Sequence, residues 1–187
     1  MNPSQILADT KLWGEFMKLV TSLGRDHKIS DAGAFIDFLL SRSDIKGDRF
    51  GATGYCMGGN ACLTAAGAFS DRFAAVASFH GGNLATGQPD SPHLFVKNIS
   101  GRVYVAGAIE DGSFTEEQKN RLEQALTNAG VDHLVETYPG ARHGFAVPDH
   151  PAFVPSAAER HWTALFRLLD DTLRSNSDRP HRGRASA

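Results

Sequence analysis

Apolar residues recur along this chain in two rhythms. Near its start they fall at helical spacing, with Ile6, Leu7, Trp13, Phe16, Val20 and Leu23 roughly on one face, and Asn2-Pro3 supplies a cap and a first helical residue. A second helical run passes through Phe35, Ile36, Leu39 and Leu40, with Ser30 or Asp31 as its cap. From there, short β-branched, aromatic or small runs near 49–53, 74–79, 102–106 and 133–138 read as strands. Helical patterns near 58–68, 115–129 and 156–173 follow the first, third and fourth of them. Thr115, with Gln118 three residues on, is a capping-box signature. This alternation predicts a parallel sheet with crossover helices, an α/β fold in one domain over 1–173. The stretch 82–98, with Pro89 and Pro92, reads as a long loop, either a lid over the site or a plain surface loop. After Leu173 almost nothing is apolar, so 174–187, with four arginines, reads as a disordered basic tail.

The chemistry concentrates at Gly54-Tyr55-Cys56-Met57-Gly58-Gly59, placed between the first strand and a helix. It has the form of a nucleophile elbow with cysteine in the nucleophile position. In such a turn Gly54 and Gly58 are expected to leave room where side chains would collide. Cys56 then stands at the N-terminus of a helix, where the dipole favours a thiolate. Two other readings remain: a phosphate-binding turn, weakened by the lack of a following lysine, and a buried structural cysteine.

A cysteine nucleophile needs a base, and the base needs an orienting group. Asp111 follows the third strand and His143 the fourth, so both belong to the carboxyl edge of a parallel sheet, where ligands bind. The order nucleophile, acid, histidine is that of α/β-hydrolases. Glu110 is the rival acid; Asp111 is preferred for its place beside Gly112. His80, after the second strand, either lines the site or packs structurally.

Composition adds mostly exclusions. A formal net charge of −2 gives no electrostatic case for nucleic acid or an anionic membrane. No run approaches the ~18 apolar residues of a membrane span, and no signal-peptide pattern opens the chain. With 2 cysteines and no export signal, a reduced, cytoplasmic setting is expected, and Cys62 should pack in the helix after the elbow. His93, His150 and His161 lack the spacing of a helical metal site, and neither metal nor organic cofactor is expected.

On these motifs the chain resembles the dienelactone hydrolase family, the cysteine branch of the α/β-hydrolases. The elbow, Phe79-His80-Gly81-Gly82, the Asp111 loop and Arg142-His143-Gly144-Phe145 fall in that family's order, and the likeness runs roughly from Ser30 to Leu173. It implies Cys56 as nucleophile, Asp111 as orienting acid, His143 as base and the Met57 N–H as an oxyanion donor. Tyr55, His80, Arg142 and Phe145, beside these residues, are the candidate substrate-binding positions. The implied reaction is hydrolysis of small esters or lactones through a thioester. Two departures stand out. The family's several strands before the elbow strand, which supply a second oxyanion donor, have no counterpart here. An α/β-hydrolase-like sheet truncated at its N-terminal side is therefore expected, with weak activity and self-association through an exposed edge. Val147 also stands near the place of the family's anion-binding arginine, which favours neutral substrates. A glutamine amidotransferase also uses a G-x-C-x-G turn, but has glutamate two residues after its histidine, where this chain has Phe145.

Overall fold

A computed structural model describes residues 9–174 of the chain. The expected helix start at Asn2-Pro3, the apolar positions Ile6 and Leu7, and the tail from 175 onward lie outside the described residues.

Helix α1 (Thr10–Ser22) opens on Asp9, whose carboxylate accepts from the N–H groups of Lys11 at 2.8 Å and Leu12 at 3.1 Å. None of its residues is buried, and Trp13, Phe16 and Leu19 stay exposed. Its apolar face therefore does not join the core. Helix α2 (Arg25–Leu40) begins at Gly24, so Ser30 and Asp31 lie inside it rather than capping it. Residues 25–29 contain no glycine or proline to stop the helix, and Asp26 places negative charge in its first turn.

Strands β1 (Phe50–Tyr55), β2 (Phe73–Phe79), β3 (Arg102–Gly107) and β4 (His133–Thr137) lie side by side in chain order, all parallel. The register matches Tyr55 with Phe79, Phe79 with Ala106, and Ala106 with Glu136, so the carboxyl ends finish almost level. Alternate residues go to opposite faces. Val76, Val103 and Val105 join Leu63, Leu122 and Leu126, which come from α3 (Met57–Ala68) and α4 (Glu116–Asn128). Ala75, Ala77, Tyr104 and Ala106 join Leu165 and Leu168 of α5 (Pro155–Leu173). With both faces covered, β2 buries every one of its residues. Full burial of Leu63, Leu122 and Leu126 is worth about 1.5–3 kcal/mol each.

The stretch 82–98 is neither a lid nor a loose loop. Pro92–Asn98 forms a 3-10 helix, and Leu84, Ala85 and Val96 enter the core layer of α3 and α4. It occupies the place of a crossover helix between β2 and β3. The capping box is half made. The Thr115 hydroxyl accepts from the Gln118 N–H at 3.3 Å, but the Gln118 side chain reaches the Ala85 N–H and the Ser113 carbonyl instead. Among the described residues β1 pairs on one side only. Beside it runs a mostly apolar groove of about 460 Å³ lined by Phe35, Ile36, Leu39, Phe50 and Met57, among others. No helix among the described residues is long and apolar enough to cross a membrane.

Candidate active site

Each strand hands one chemically active residue to the carboxyl edge: Cys56 directly after β1, His80 directly after β2, and Asp111 and His143 from the loops after β3 and β4. Cys56 turns at φ 52° and ψ −121°, a conformation that a side-chain-bearing residue rarely adopts. The surrounding backbone over-determines it. The Cys56 N–H donates to the Phe79 carbonyl at 3.3 Å, and its own carbonyl accepts from the N–H groups of Gly59 and Gly82. A Cβ on Gly54 would collide with the backbone of Gly58, and one on Gly59 with Ser78 and Gly81. Position 58 has open space, so the required glycines are Gly54 and Gly59, not Gly54 and Gly58. The sequence motif could not show this, because the clash on the helix side comes from the neighbouring strand β2.

The Cys56 thiol is exposed, and its pKa lies below the ordinary thiol range. A hydrogen bond with His143 is the main cause, and desolvation opposes it. The Met57 N–H, at the start of α3, adds to the lowering. His143 Nδ1 donates to Asp111 Oδ2 at 2.7 Å. The hydrogen bonds with Asp111 and with Cys56 raise the imidazole to about 10. Burial would raise the Asp111 carboxyl, but hydrogen bonds from His143 and Ser113 leave it below the usual carboxylate range. The three groups thus shift one another toward their charged forms, the thiol and the Asp111 carboxyl downward and the imidazole upward.

The two neighbouring acids part sharply. Asp111 is buried against His143, while Glu110 points into solvent and pairs with Arg142 at 3.2 Å. Arg142, expected on the substrate side, is thus mostly in water beside Glu110. The Tyr55 hydroxyl meets His161 Nε2 at 2.7 Å. His161 Nδ1 must donate to the Ala158 carbonyl, so Tyr55 donates to Nε2 and is tied to α5. Phe145 is fully buried, its ring packed against those of Tyr138 and His80. The His80 ring lies 5.1 Å from the His143 ring. Burial lowers its pKa to about 4, so it is neutral, and neither ring nitrogen has a partner among the described residues. Ser113 escaped the sequence reading. Its N–H and hydroxyl both donate to Asp111 Oδ1, at 2.9 and 2.6 Å. The signal was Asp-Gly-Ser, an acid closing a turn on the residue two positions on. Among the described residues no three His, Cys, Asp or Glu side chains converge as a metal set.

A model of the dienelactone hydrolase family matches residues 7–173. Over 149 residues the chain is 30% identical to a Synechocystis protein provisionally named carboxymethylenebutenolidase, covering 78% of this chain and 60% of the relative. A solved dienelactone hydrolase-like promiscuous phosphotriesterase from metagenomic libraries is 26% identical, with a TM-score of 0.68 over 79% of this chain and 62% of its own. The solved structure of m3DLH is 27% identical, with a TM-score of 0.71 over 87% of this chain and 67% of its own. The chain thus spans about three fifths of the length of the first two relatives.

Proposed function

The chain belongs to the dienelactone hydrolase family, and on that premise we propose that it hydrolyses small esters or lactones by acyl transfer to Cys56. The observation that carries this reading is the 2.7 Å hydrogen bond of His143 Nδ1 to Asp111 Oδ2, together with the lowering of the Cys56 thiol by the same His143. The thiolate attacks the ester carbonyl, and the Met57 N–H holds the developing oxyanion. One such donor is worth about 2.7–4 kcal/mol. His143, already protonated, gives its Nε2 proton to the leaving alkoxide. The neutral imidazole then takes a proton from water as that water attacks the thioester, and the thiolate leaves again. Asp111 holds the Nδ1–H throughout. Activated esters and lactones suit a thioester intermediate; amides do not. Val147 lies near the place of the family's anion-binding arginine, and Arg142 pairs with Glu110 in solvent, so small neutral substrates are favoured. A carboxylated dienelactone turned over with kcat/KM far above its neutral ester would defeat that preference.

The test is turnover of p-nitrophenyl acetate by the wild type and by Cys56→Ala, with a phosphate triester assayed beside it because one relative is named a phosphotriesterase. Unchanged turnover in Cys56→Ala would sink the assignment. A second reading is a weak or inactive member of the family that self-associates. It is favoured by the unpaired side of β1 and the apolar groove beside it. Stoichiometric labelling of Cys56 without turnover, together with concentration-dependent oligomers, would support that second reading.

A further inference from the structure

The Asp111 carboxylate has two oxygens but only one faces the histidine. Oδ2 receives the His143 Nδ1–H at 2.7 Å, and Oδ1 receives two donors from a single residue, the N–H and hydroxyl of Ser113. A carboxylate so held cannot rotate about its last bond without breaking both Ser113 contacts. The Ser113 hydroxyl gives its hydrogen to Oδ1, so toward His143 Nδ1, 3.4 Å away, it offers only a lone pair. It thus reinforces the tautomer that leaves Nε2 for Cys56.

The backbone of Ser113 is fixed as firmly. Its carbonyl accepts from the Asn83 N–H at 2.6 Å and from the Gln118 side chain at 3.4 Å. Gly82, next to Asn83, donates to the Cys56 carbonyl. A side chain at position 82 would press on Ser113. Ser113 therefore joins the acid loop, the segment after β2 that braces the elbow, and α4.

We propose that Ser113 is a positioning residue that locks Asp111 in the rotamer serving His143 and so holds the imidazole in the orientation that serves Cys56. It acts through Asp111 and touches no reacting atom. The inference rests on the Cys56–His143–Asp111 reading. The titrating and charged groups that face this unit are few. Asp111 feels His143, Cys56 and His80 feel Asp111, and His150 feels His143. Glu110 and Arg142 are paired in solvent.

The experiment compares wild type, Ser113→Ala, Ser113→Thr, Asp111→Asn and the double variant Ser113→Ala/Asp111→Asn. It reads kcat and KM on p-nitrophenyl acetate and the pH profile of Cys56 alkylation by iodoacetamide. Ser113→Ala should lower kcat roughly 10- to 100-fold, the scale seen when an outer partner of a reactive group is lost. KM should stay within about twofold, and the alkylation midpoint should move up in pH. Ser113→Thr, which keeps the hydroxyl, should recover most of both. In the Asp111→Asn background Ser113→Ala should cost nothing further, because the two act as one unit. Additive losses, or a wild-type kcat and profile in Ser113→Ala, would overturn the inference. If Asp111→Asn itself keeps wild-type turnover, the triad reading fails instead. Should Ser113→Ala not fold, Ser113→Cys, similar in size but a weak donor, carries the same readouts.

Discussion

Cys56 and Cys62 belong to one strand–turn–helix unit, six residues apart, and their chemistry is opposite. Cys56 is exposed at the turn, faces His143 and is ionised more easily than a free thiol. Cys62 is buried one and a half turns into α3, and desolvation pushes its thiol up to about 12. Among the described residues its sulfur hydrogen-bonds to the carbonyls of Gly59 and Ala77, at 3.3 and 3.5 Å. Both sit in a small, glycine- and alanine-rich segment. The difference lies in what the rest of the chain brings to each: a histidine and a helix N-terminus to one, the packed face of β2 to the other.

The sharpest break of that comparison is removal of the reactive member. Cys56→Ala should abolish ester hydrolysis, whereas Cys62→Ala should keep most of it, as measured by p-nitrophenyl acetate turnover. Alkylation gives the next largest contrast. With its thiol pushed up to about 12, Cys62 stays protonated at pH 7. Iodoacetamide followed by peptide mapping should therefore label Cys56 alone in the folded protein. Because the Cys56 pKa is lowered, its labelling should persist as pH falls below the ordinary thiol range near ~8.5 and be lost only when the thiolate takes up a proton. A Cys56 profile centred at or above that range would remove the electrostatic half of the contrast.

The acid sharpens it further. Asp111→Asn should cut kcat by about 10⁴, as in the serine-protease precedent, and move the Cys56 labelling profile to higher pH. Glu110→Gln should change kcat by less than about threefold, since an exposed pair is worth little. The reverse ranking would move the acid to Glu110. The smallest effect belongs to the buried thiol: Cys62→Ala should lower stability by roughly 1 kcal/mol in a denaturant titration, the usual scale for a small core deletion.

Much of this was legible in the chain itself. The strand–helix alternation set the parallel sheet, because periods of two and 3.6 are written in side chains and need no partner to be read; the side-by-side order of the strands came from the structure. The elbow, the acid loop and the histidine loop could be placed at one edge, because every parallel strand ends there. Local signals failed where neighbours decide. The apolar rhythm of α1 put its large side chains roughly on one face, yet among the described residues Trp13, Phe16 and Leu19 stay exposed. Proline and the lack of period made 82–98 look loose, yet it is core, because α3 and α4 leave a gap that Leu84 and Val96 fill.

The sequence by itself determined which residue types stand at the strand ends: cysteine in a glycine turn, a pair of acids, two histidines. Only the tertiary structure decided how they divide the work. Adjacent acids part into a buried partner of His143 and a solvent partner of Arg142, with Glu110 turned at a positive φ of 49°. Gly59 rather than Gly58 is indispensable because β2 crosses behind it, Tyr55 turns to His161, and Ser113 fastens Asp111. Each of these is a contact between segments distant in sequence or folded back on themselves. Such contacts have no signature in local pattern, since their energy depends on distance in space rather than along the chain.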